Sequence, residues 1–119
     1  MLPHELHESF PDAAARAGAL QQLVDLCRRL EELERLAALP VDQWAPEQLQ
    51  ELSAQLVGDP RQAAKRLARW RALFADELRQ ARGARDAAVH SRLSDVELRT
   101  AVYLAARLLR SAYGRGHEG

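Results

Sequence analysis

The sequence is poor in aromatic residues, in cysteine and in long apolar runs. Aromatic side chains make up 5% of its 119 residues, and the single cysteine, Cys27, excludes a disulfide within the chain. Because Cys27 falls on an apolar helical stripe, we interpret it as a small core residue and not as a reactive thiol. No stretch reaches the roughly 18 apolar residues of a membrane span, and the first residues lack the pattern of a secretory signal. These absences predict a cytoplasmic protein that does not enter a membrane.

Alanine, leucine, arginine and glutamate dominate the rest of the chain, which is a composition typical of helices. Hydrophobic residues make up 47% and charged residues 29% of the sequence, a balance that favours a soluble globular protein over a disordered one. The length suits one domain. We therefore predict a single helical domain over residues 1–113 and a disordered tail over residues 114–119.

Start and stop signals predict four helices, with no strand pattern between them. The helices start at Ser9-Phe10-Pro11-Asp12, Pro46, Asp59-Pro60 and the capping box Ser94-Asp95-Val96-Glu97, and the first two end before Pro40 and at Gly58. Leucine-rich stripes at helical spacing follow each start; that of the second helix includes Leu49, Leu52, Leu56 and Val57. The third helix is expected to reach His90, with Gly83 as the point where it could bend. The predicted fold class is all-α, a four-helix bundle with mostly antiparallel neighbours.

A net charge of zero conceals two halves of opposite charge. Residues 1–59 hold 4 Arg against 11 Asp and Glu, a balance of −7, whereas residues 60–119 hold 12 Arg and 1 Lys against 6 acids, a balance of +7. The basic half would attract RNA, or an acidic partner surface such as the first half of another copy. It could equally pair with the acidic half inside one bundle, and the sequence leaves these alternatives open.

The segment Arg85-Asp86-Ala87-Ala88-Val89-His90 carries the most chemistry in the chain. A permanent cation and an imidazole that exchanges a proton near neutral pH form a minimal set for cutting a phosphodiester. Asp86 precedes His90 by one helical turn, so its carboxylate can reach the ring and favour the protonated form. Arg85, Asp86 and His90 are therefore the candidate catalytic residues.

Helical geometry limits what this motif can do within one straight helix. Positions five apart point about 140° away from each other at 100° per residue, so Arg85 and His90 do not share a face. Either the helix ends near His90 and lets the ring turn, or a second chain completes the site. We favour the second alternative, because a small bundle with a long helix can pair across a twofold axis and bring two motifs together.

The order of features from Leu73 to Arg110 resembles the HEPN superfamily of small helical domains. The signature of that superfamily is Arg, a polar residue, three variable positions and His, placed between a helix and a capped last helix. In this chain the signature would be Arg85, Asp86 and His90, with Leu93-Ser94-Asp95 leading into the last helix. The likeness covers about the last third of the chain and implies a bundle of HEPN type.

The resemblance implies a metal-independent endoribonuclease without a cofactor, active as a homodimer with a composite site. His90 would activate the ribose 2′-hydroxyl or protonate the leaving 5′-oxygen, Arg85 would stabilise the phosphorane and Asp86 would orient the histidine. Many members are toxins of toxin–antitoxin pairs or parts of antiphage systems, which implies an antitoxin or effector protein as a further partner.

Two positions depart from common HEPN patterns. One toxin branch has a tyrosine two residues after the histidine, as the target of its antitoxin, where this chain has Arg92. Asp86 stands where asparagine is frequent in the superfamily. The hydrogen-bond polarity changes, because a carboxylate only accepts hydrogen bonds whereas the amide of asparagine also donates them. Some HEPN domains are inactive, so the alternative is a non-catalytic module for dimerisation or partner docking.

Residues around the motif extend the predicted RNA surface. The candidate RNA-binding residues are Arg79, Arg82, Arg92, Arg99 and Tyr103. A solvated flank is the alternative interpretation of the same residues. Trp70 and Phe74 are interpreted as core or dimer-interface residues rather than a cofactor site. His4 and His7 lack a nearby third ligand, so we predict no metal site.

Overall fold

Five α-helices and one short 3-10 helix make up the part of the chain that the structure describes. The computed structural model describes residues 10–55 and 59–113. The α-helices are α1 (Ala13–Ala37), α2 (Pro46–Gln55), α3 (Pro60–Leu73), α4 (Ala75–Val89) and α5 (Asp95–Ala112), and the 3-10 helix is Val41–Gln43. The described residues contain no strand. The prediction of an all-α helical bundle is confirmed.

The core forms around α1, which packs against α3, α4 and α5 and makes its most extensive contact with α5. Its members are almost all leucine and alanine, together with Cys27 and two tryptophans, and no described polar residue is buried among them. Small alanines on α4 and α5 let helix backbones approach closely where leucines from α1 fill the space. Burial of Cys27 confirms its interpretation as a core residue.

The predicted third helix is two helices, because the chain leaves helical geometry at Phe74 and not at Gly83. Phe74 has φ −109° and ψ 24°, whereas α4 runs through Gly83 without a break. One continuous helix over residues 60–89 would be about 45 Å long, against about 27 Å for the 18 residues of α5. The break lets both parts pack on α1 and α5 while Phe74 itself packs against the core.

Local signals account for the helix starts. Asp59 accepts a hydrogen bond from the Gln62 backbone N–H, and Ser94 forms the predicted capping box with Glu97. The first described helix is capped by Asp12, whose side chain accepts from the Ala15 N–H. Several of the predicted features lie outside the described residues. They are Ser9, the helix end at Gly58, the stripe residues Leu56 and Val57, the side chain of Leu52, His4, His7 and the predicted tail 114–119.

The two tryptophans donate hydrogen bonds from their indole N–H groups to backbone carbonyl oxygens of α1 and α5 and of the residues that follow α1. Trp44 Nε1 donates to the carbonyl oxygens of Leu36 and Leu39 at 3.0 and 3.3 Å, so this ring satisfies the end of α1. Trp70 Nε1 donates to the Leu108 carbonyl at 3.1 Å and ties α3 to α5. Both rings are buried. The interpretation of Trp70 as a core residue is therefore confirmed.

Candidate functional site

The three motif residues lie at the C-terminal end of α4, where this helix faces α1. Arg85 and Asp86 belong to the last two turns of α4, and His90 is the residue on which the helix ends. Of the two geometric alternatives for the motif, a helix end at His90 is the one observed within the chain. The imidazole therefore lies at the end of α4, next to the loop that leads to α5.

Arg85 is held between two carboxylates. Its Nη1 donates to Glu31 Oε2 on α1 at 2.9 Å, and its Nε donates to Asp86 Oδ1 at 3.1 Å. The Arg85 side chain is 21% exposed. Burial lowers the pKa of this guanidinium, but the hydrogen bonds to Glu31 and Asp86 outweigh it, so the pKa stands above its ordinary value. The result is a fixed cation at the junction of α1 and α4.

His90 is exposed and anchored through one ring nitrogen. Its Nδ1 lies 2.8 Å from the backbone carbonyl oxygen of Asp86. Because a carbonyl oxygen only accepts, this contact requires the proton on Nδ1. Nε2 makes no hydrogen bond within residues 10–55 and 59–113. In the neutral ring that atom carries a lone pair that can take a proton from a ligand.

Asp86 connects the other two motif residues through different oxygens. Its carboxylate binds Arg85, and its carbonyl oxygen accepts from His90. The predicted contact between the carboxylate and the imidazole is not formed, because the neighbouring guanidinium takes the carboxylate. Asp86 therefore orients the ring through its backbone, a role that a side-chain substitution would leave in place.

The turn after His90 has a strained backbone. Ser91 adopts φ 58°, the left-handed region that glycine occupies most readily. The Ser91 N–H donates to the Ala88 carbonyl and the Arg92 N–H to the Ala87 carbonyl, at 2.9 and 2.8 Å. These two bonds are those of a Schellman motif with serine in the glycine position. The turn fixes the direction in which the chain leaves the imidazole.

Acidic residues of α1 neutralise two arginines of α4. Glu31 pairs with Arg85 and Glu34 pairs with Arg82, each across the α1–α4 contact. For these two arginines, pairing of the acidic and basic halves inside one bundle is the alternative observed. Glu31 and Glu34 were not identified from the sequence as partners of these arginines. A signal was present, because the two acids are three residues apart and so are Arg82 and Arg85.

The remaining predicted RNA-binding residues do not form one surface of free cations. Arg79 pairs with Asp76 one turn away, and both side chains are mostly exposed. Arg92 is exposed in the turn after α4. The Arg99 guanidinium lies 4.4 Å from the centre of the Phe10 ring, and its Nε is buried without a hydrogen-bond partner in the described chain. Tyr103 is 64% exposed. Arg99 is therefore a packing residue, whereas the others remain accessible.

Cys27 lies in the core beneath the Arg85–Glu31 pair. It is fully buried, and its Sγ is 3.6 Å from the Ala81 carbonyl oxygen. Burial raises the pKa of this thiol to about 11, although the nearby Arg85 charge acts in the opposite direction. A neutral, buried thiol of this kind is not a nucleophile.

The described residues hold no group of three or more His, Cys, Asp and Glu arranged to bind a metal ion. None of the helices in residues 10–55 and 59–113 is both long enough and apolar enough to span a membrane. Comparisons with protein families, with curated proteins and with solved structures gave no match.

Proposed function

We propose that the protein is a metal-independent endoribonuclease of HEPN type that acts in the cytoplasm at a site completed by a second copy of the chain. One observation carries the proposal: Arg85, Asp86 and His90 form a connected group, and Nε2 of His90 is open on its outer side. A fixed cation and an accessible proton-transfer group at the same helix end are the two kinds of group that assist phosphodiester cleavage.

The reaction follows from the two charges. Nε2 of His90 takes the proton of the ribose 2′-hydroxyl, the 2′-oxygen attacks phosphorus, and the bond from phosphorus to the 5′-oxygen breaks. A protonated imidazole, that of the second copy, gives its proton to the leaving 5′-oxygen. The products are a 2′,3′-cyclic phosphate and a 5′-hydroxyl, so DNA is not a substrate.

Arg85 stabilises the charge of the phosphorane in this scheme. Its side chain is partly accessible and already bound to Glu31 and Asp86. A phosphate oxygen therefore shares the guanidinium with these carboxylates or displaces one of them, and the forked donors of arginine allow such sharing. The carboxylates hold the cation in one place before the substrate arrives, which lowers the cost of positioning it.

The test is cleavage of single-stranded RNA in the presence of EDTA. Wild type is expected to release 5′-hydroxyl products, whereas His90→Ala and Arg85→Ala lose at least about 100-fold in rate, the usual contribution of a general acid or base. Arg28→Ala, on the exposed side of α1, is the matched control that keeps the rate. Circular dichroism checks that each variant is folded. A wild type that cleaves none of a broad set of RNAs would contradict the proposal.

A role as a toxin or antiphage effector belongs to the same proposal, with an antitoxin or effector protein as partner. Such an RNase arrests growth when it is expressed alone in a bacterial host. Arrest is expected with wild type and not with His90→Ala. Arrest by both proteins at equal expression would separate toxicity from RNA cleavage.

The Arg85–Glu31 pair supports a structural role for Arg85, which agrees with the alternative function of a non-catalytic dimerisation or docking module. The pair joins α1 to α4 at the edge of the core, which is also what a purely structural arginine does. Under this alternative, His90→Ala leaves partner binding and phenotype unchanged, and Arg85→Ala acts only by lowering the free energy of unfolding.

A further inference from the structure

A second basic surface lies at the opposite end of α4 from His90, where α3 and α4 meet at Phe74. We call it the α3–α4 groove. It has a volume of about 330 Å³ and is lined by Arg71, Arg79 and Arg82, by Glu34, and by Ala68, Ala72 and Ala75. The break at Phe74 forms this groove, because it brings the last turn of α3 next to the first turns of α4.

The three arginines of the groove differ in how firmly they are held. Arg71 is exposed and has no ion pair or hydrogen bond from its side chain within the described residues. Arg79 pairs with Asp76, but these side chains are 66% and 80% exposed, so water and salt weaken the pair. Arg82 is fixed by Glu34, whose side chain is 17% exposed. The groove therefore offers two guanidinium groups to a ligand and holds a third in place.

The floor of the groove favours a phosphate chain over an apolar ligand. Three alanines present only methyl groups, so nothing long or aromatic stands between a ligand and the helix backbones. The polar walls carry forked N–H donors, which match the oxygens of a phosphate. An apolar ligand would bury the guanidinium groups without giving them an acceptor, which costs free energy.

Two of the groove arginines lie on the same helix as the motif. Arg79, Arg82 and Arg85 follow at intervals of three residues and so lie on neighbouring turns of one flank of the helix. From Arg79 to His90 the helix rises by about 16 Å. A polyanion bound in the groove could therefore reach Arg85 by following the helix axis.

We propose that the α3–α4 groove binds the sugar–phosphate backbone of single-stranded RNA away from the point of cleavage, with Arg71 and Arg79 as its phosphate contacts. The proposal rests on the proposed function, since it assigns a binding subsite to the same substrate. It adds Arg71, on another helix, to the surface predicted along α4.

The experiment measures fluorescence anisotropy of a labelled single-stranded RNA whose 2′-hydroxyls are methylated, so that it cannot be cleaved. Arg71→Gln is expected to raise Kd about fivefold and Arg71→Gln/Arg79→Gln to raise it further, since exposed charge contacts contribute up to about 1 kcal/mol. The slope of log K against log salt should fall by about 0.7 for each lost contact. Arg69→Gln, an exposed arginine on the same helix outside the groove, is the matched control and should bind like wild type.

Failure of this proposal and failure of the catalytic one give different results. In a His90→Ala background, which removes cleavage, Arg71→Gln should still raise the Kd for the methylated RNA relative to Arg69→Gln. RNA that is cleaved by wild type but bound equally by Arg71→Gln and Arg69→Gln overturns the groove alone. RNA that is bound through Arg71 but never cleaved overturns catalysis alone. Absence of RNA binding, or Arg71-dependent binding of a polyglutamate peptide in its place, overturns the groove as an RNA site.

Discussion

Ser91 illustrates how a single residue can oppose the fold that surrounds it. Its backbone lies at φ 58° and ends α4 next to His90, although a side chain in the left-handed region costs about 1 kcal/mol or more. Two backbone hydrogen bonds of the Schellman motif hold it there. Strain of this kind persists where contacts in the surrounding structure enforce the backbone conformation. It often occurs at functional sites.

Replacing Ser91 with glycine is expected to raise the free energy of unfolding by about 0.5–1 kcal/mol. Relief of the backbone strain stabilises the fold, and the larger entropy that glycine loses on folding offsets only part of this gain. Chemical denaturation measures the change. Ser91→Ala keeps a side chain at the same φ and should give no gain. Ser94→Ala, three residues further, should cost about 1 kcal/mol through the lost N-cap. A destabilised Ser91→Gly would show that the serine side chain makes a contact worth more than the strain.

Arg85 and Glu31 join two elements, α1 and α4, as well as forming part of the candidate site. Their side chains are 21% and 34% exposed, so solvent screens the pair only partly. An ion pair of this kind contributes about 1 kcal/mol to the free energy of unfolding. The same contact therefore has two measurable consequences, one for stability and one for the reaction.

Glu31→Gln is expected to lower the free energy of unfolding by about 1 kcal/mol, and a double-mutant cycle with Arg85→Gln should assign most of this loss to the pair. RNA cleavage by Glu31→Gln should fall much less than by Arg85→Gln, since the first variant keeps the cation. Asp25→Asn, which removes the more exposed pair with Arg28, is the control and should change stability little. Equal loss of cleavage in Glu31→Gln and Arg85→Gln would make the arginine structural only.

Asp95 links the start of α1 to the start of α5. Its Oδ2 accepts from the Phe10 N–H at 2.9 Å, and its other oxygen pairs with Arg16, which also donates to the Leu93 carbonyl. The backbone hydrogen bond from Phe10, followed by the Arg16 contacts, holds the pKa of this carboxyl below its usual value. The charged form is therefore preferred in the folded state.

A lowered folded-state pKa means that Asp95 stabilises the protein above its unfolded pKa of about 3.9 and loses this contribution as the pH falls through the lower folded value. Asp95→Asn should therefore have a lower Tm than wild type at pH 7, and the two melting curves should converge below about pH 4. Thermal melts from pH 7 to pH 3 measure the gap, with Asp25→Asn as a control. A gap that stays constant over this range would assign the effect to packing and not to charge.

Elements marked by local chemistry could be predicted from the sequence, and those set by distant contacts could not. The starts at Asp59 and Ser94 were predicted because a capping side chain bonds within its own turn. The break at Phe74 carries no proline or glycine, so only packing of α3 and α4 on the core reveals it.

The same division holds at the candidate site. The predicted third helix was expected to reach His90, and α4 ends at that residue. The Glu31 contact of Arg85 joins residues 54 positions apart and depends on how α1 crosses α4, which the sequence does not state. Competition between Arg85 and His90 for the Asp86 carboxylate was missed for a related reason. Both contacts are possible by spacing, and the geometry of the helix end decides between them.

At the scale of the whole molecule, some residues of the basic half pair with the acidic half and others stay exposed to solvent. Part of the basic half is neutralised inside the bundle, by Glu31 and Glu34 on α1. Other basic residues, Arg71 and Arg92 among them, remain exposed. These two lie near the two ends of α4. A polyanion that follows this helix would meet both of them.

The composite site that we propose predicts that one inactive chain silences the dimer it joins. The scheme uses the imidazoles of both copies, so an equal mixture of wild-type and His90→Ala chains, unfolded and refolded together, should keep about a quarter of the wild-type rate and not half, because only about a quarter of the dimers hold two His90 rings. The rate of RNA cleavage measures the loss, and the same chains refolded separately before mixing are the control. Dilution should reduce the wild-type rate more steeply than in proportion to protein concentration, since dimers dissociate. Half of the wild-type rate in a mixture whose mixed dimers form, as a tag on one chain would show, would place the general base and the general acid in the same chain. Wild-type cleavage by a protein that stays monomeric at all concentrations would remove the second copy from the mechanism.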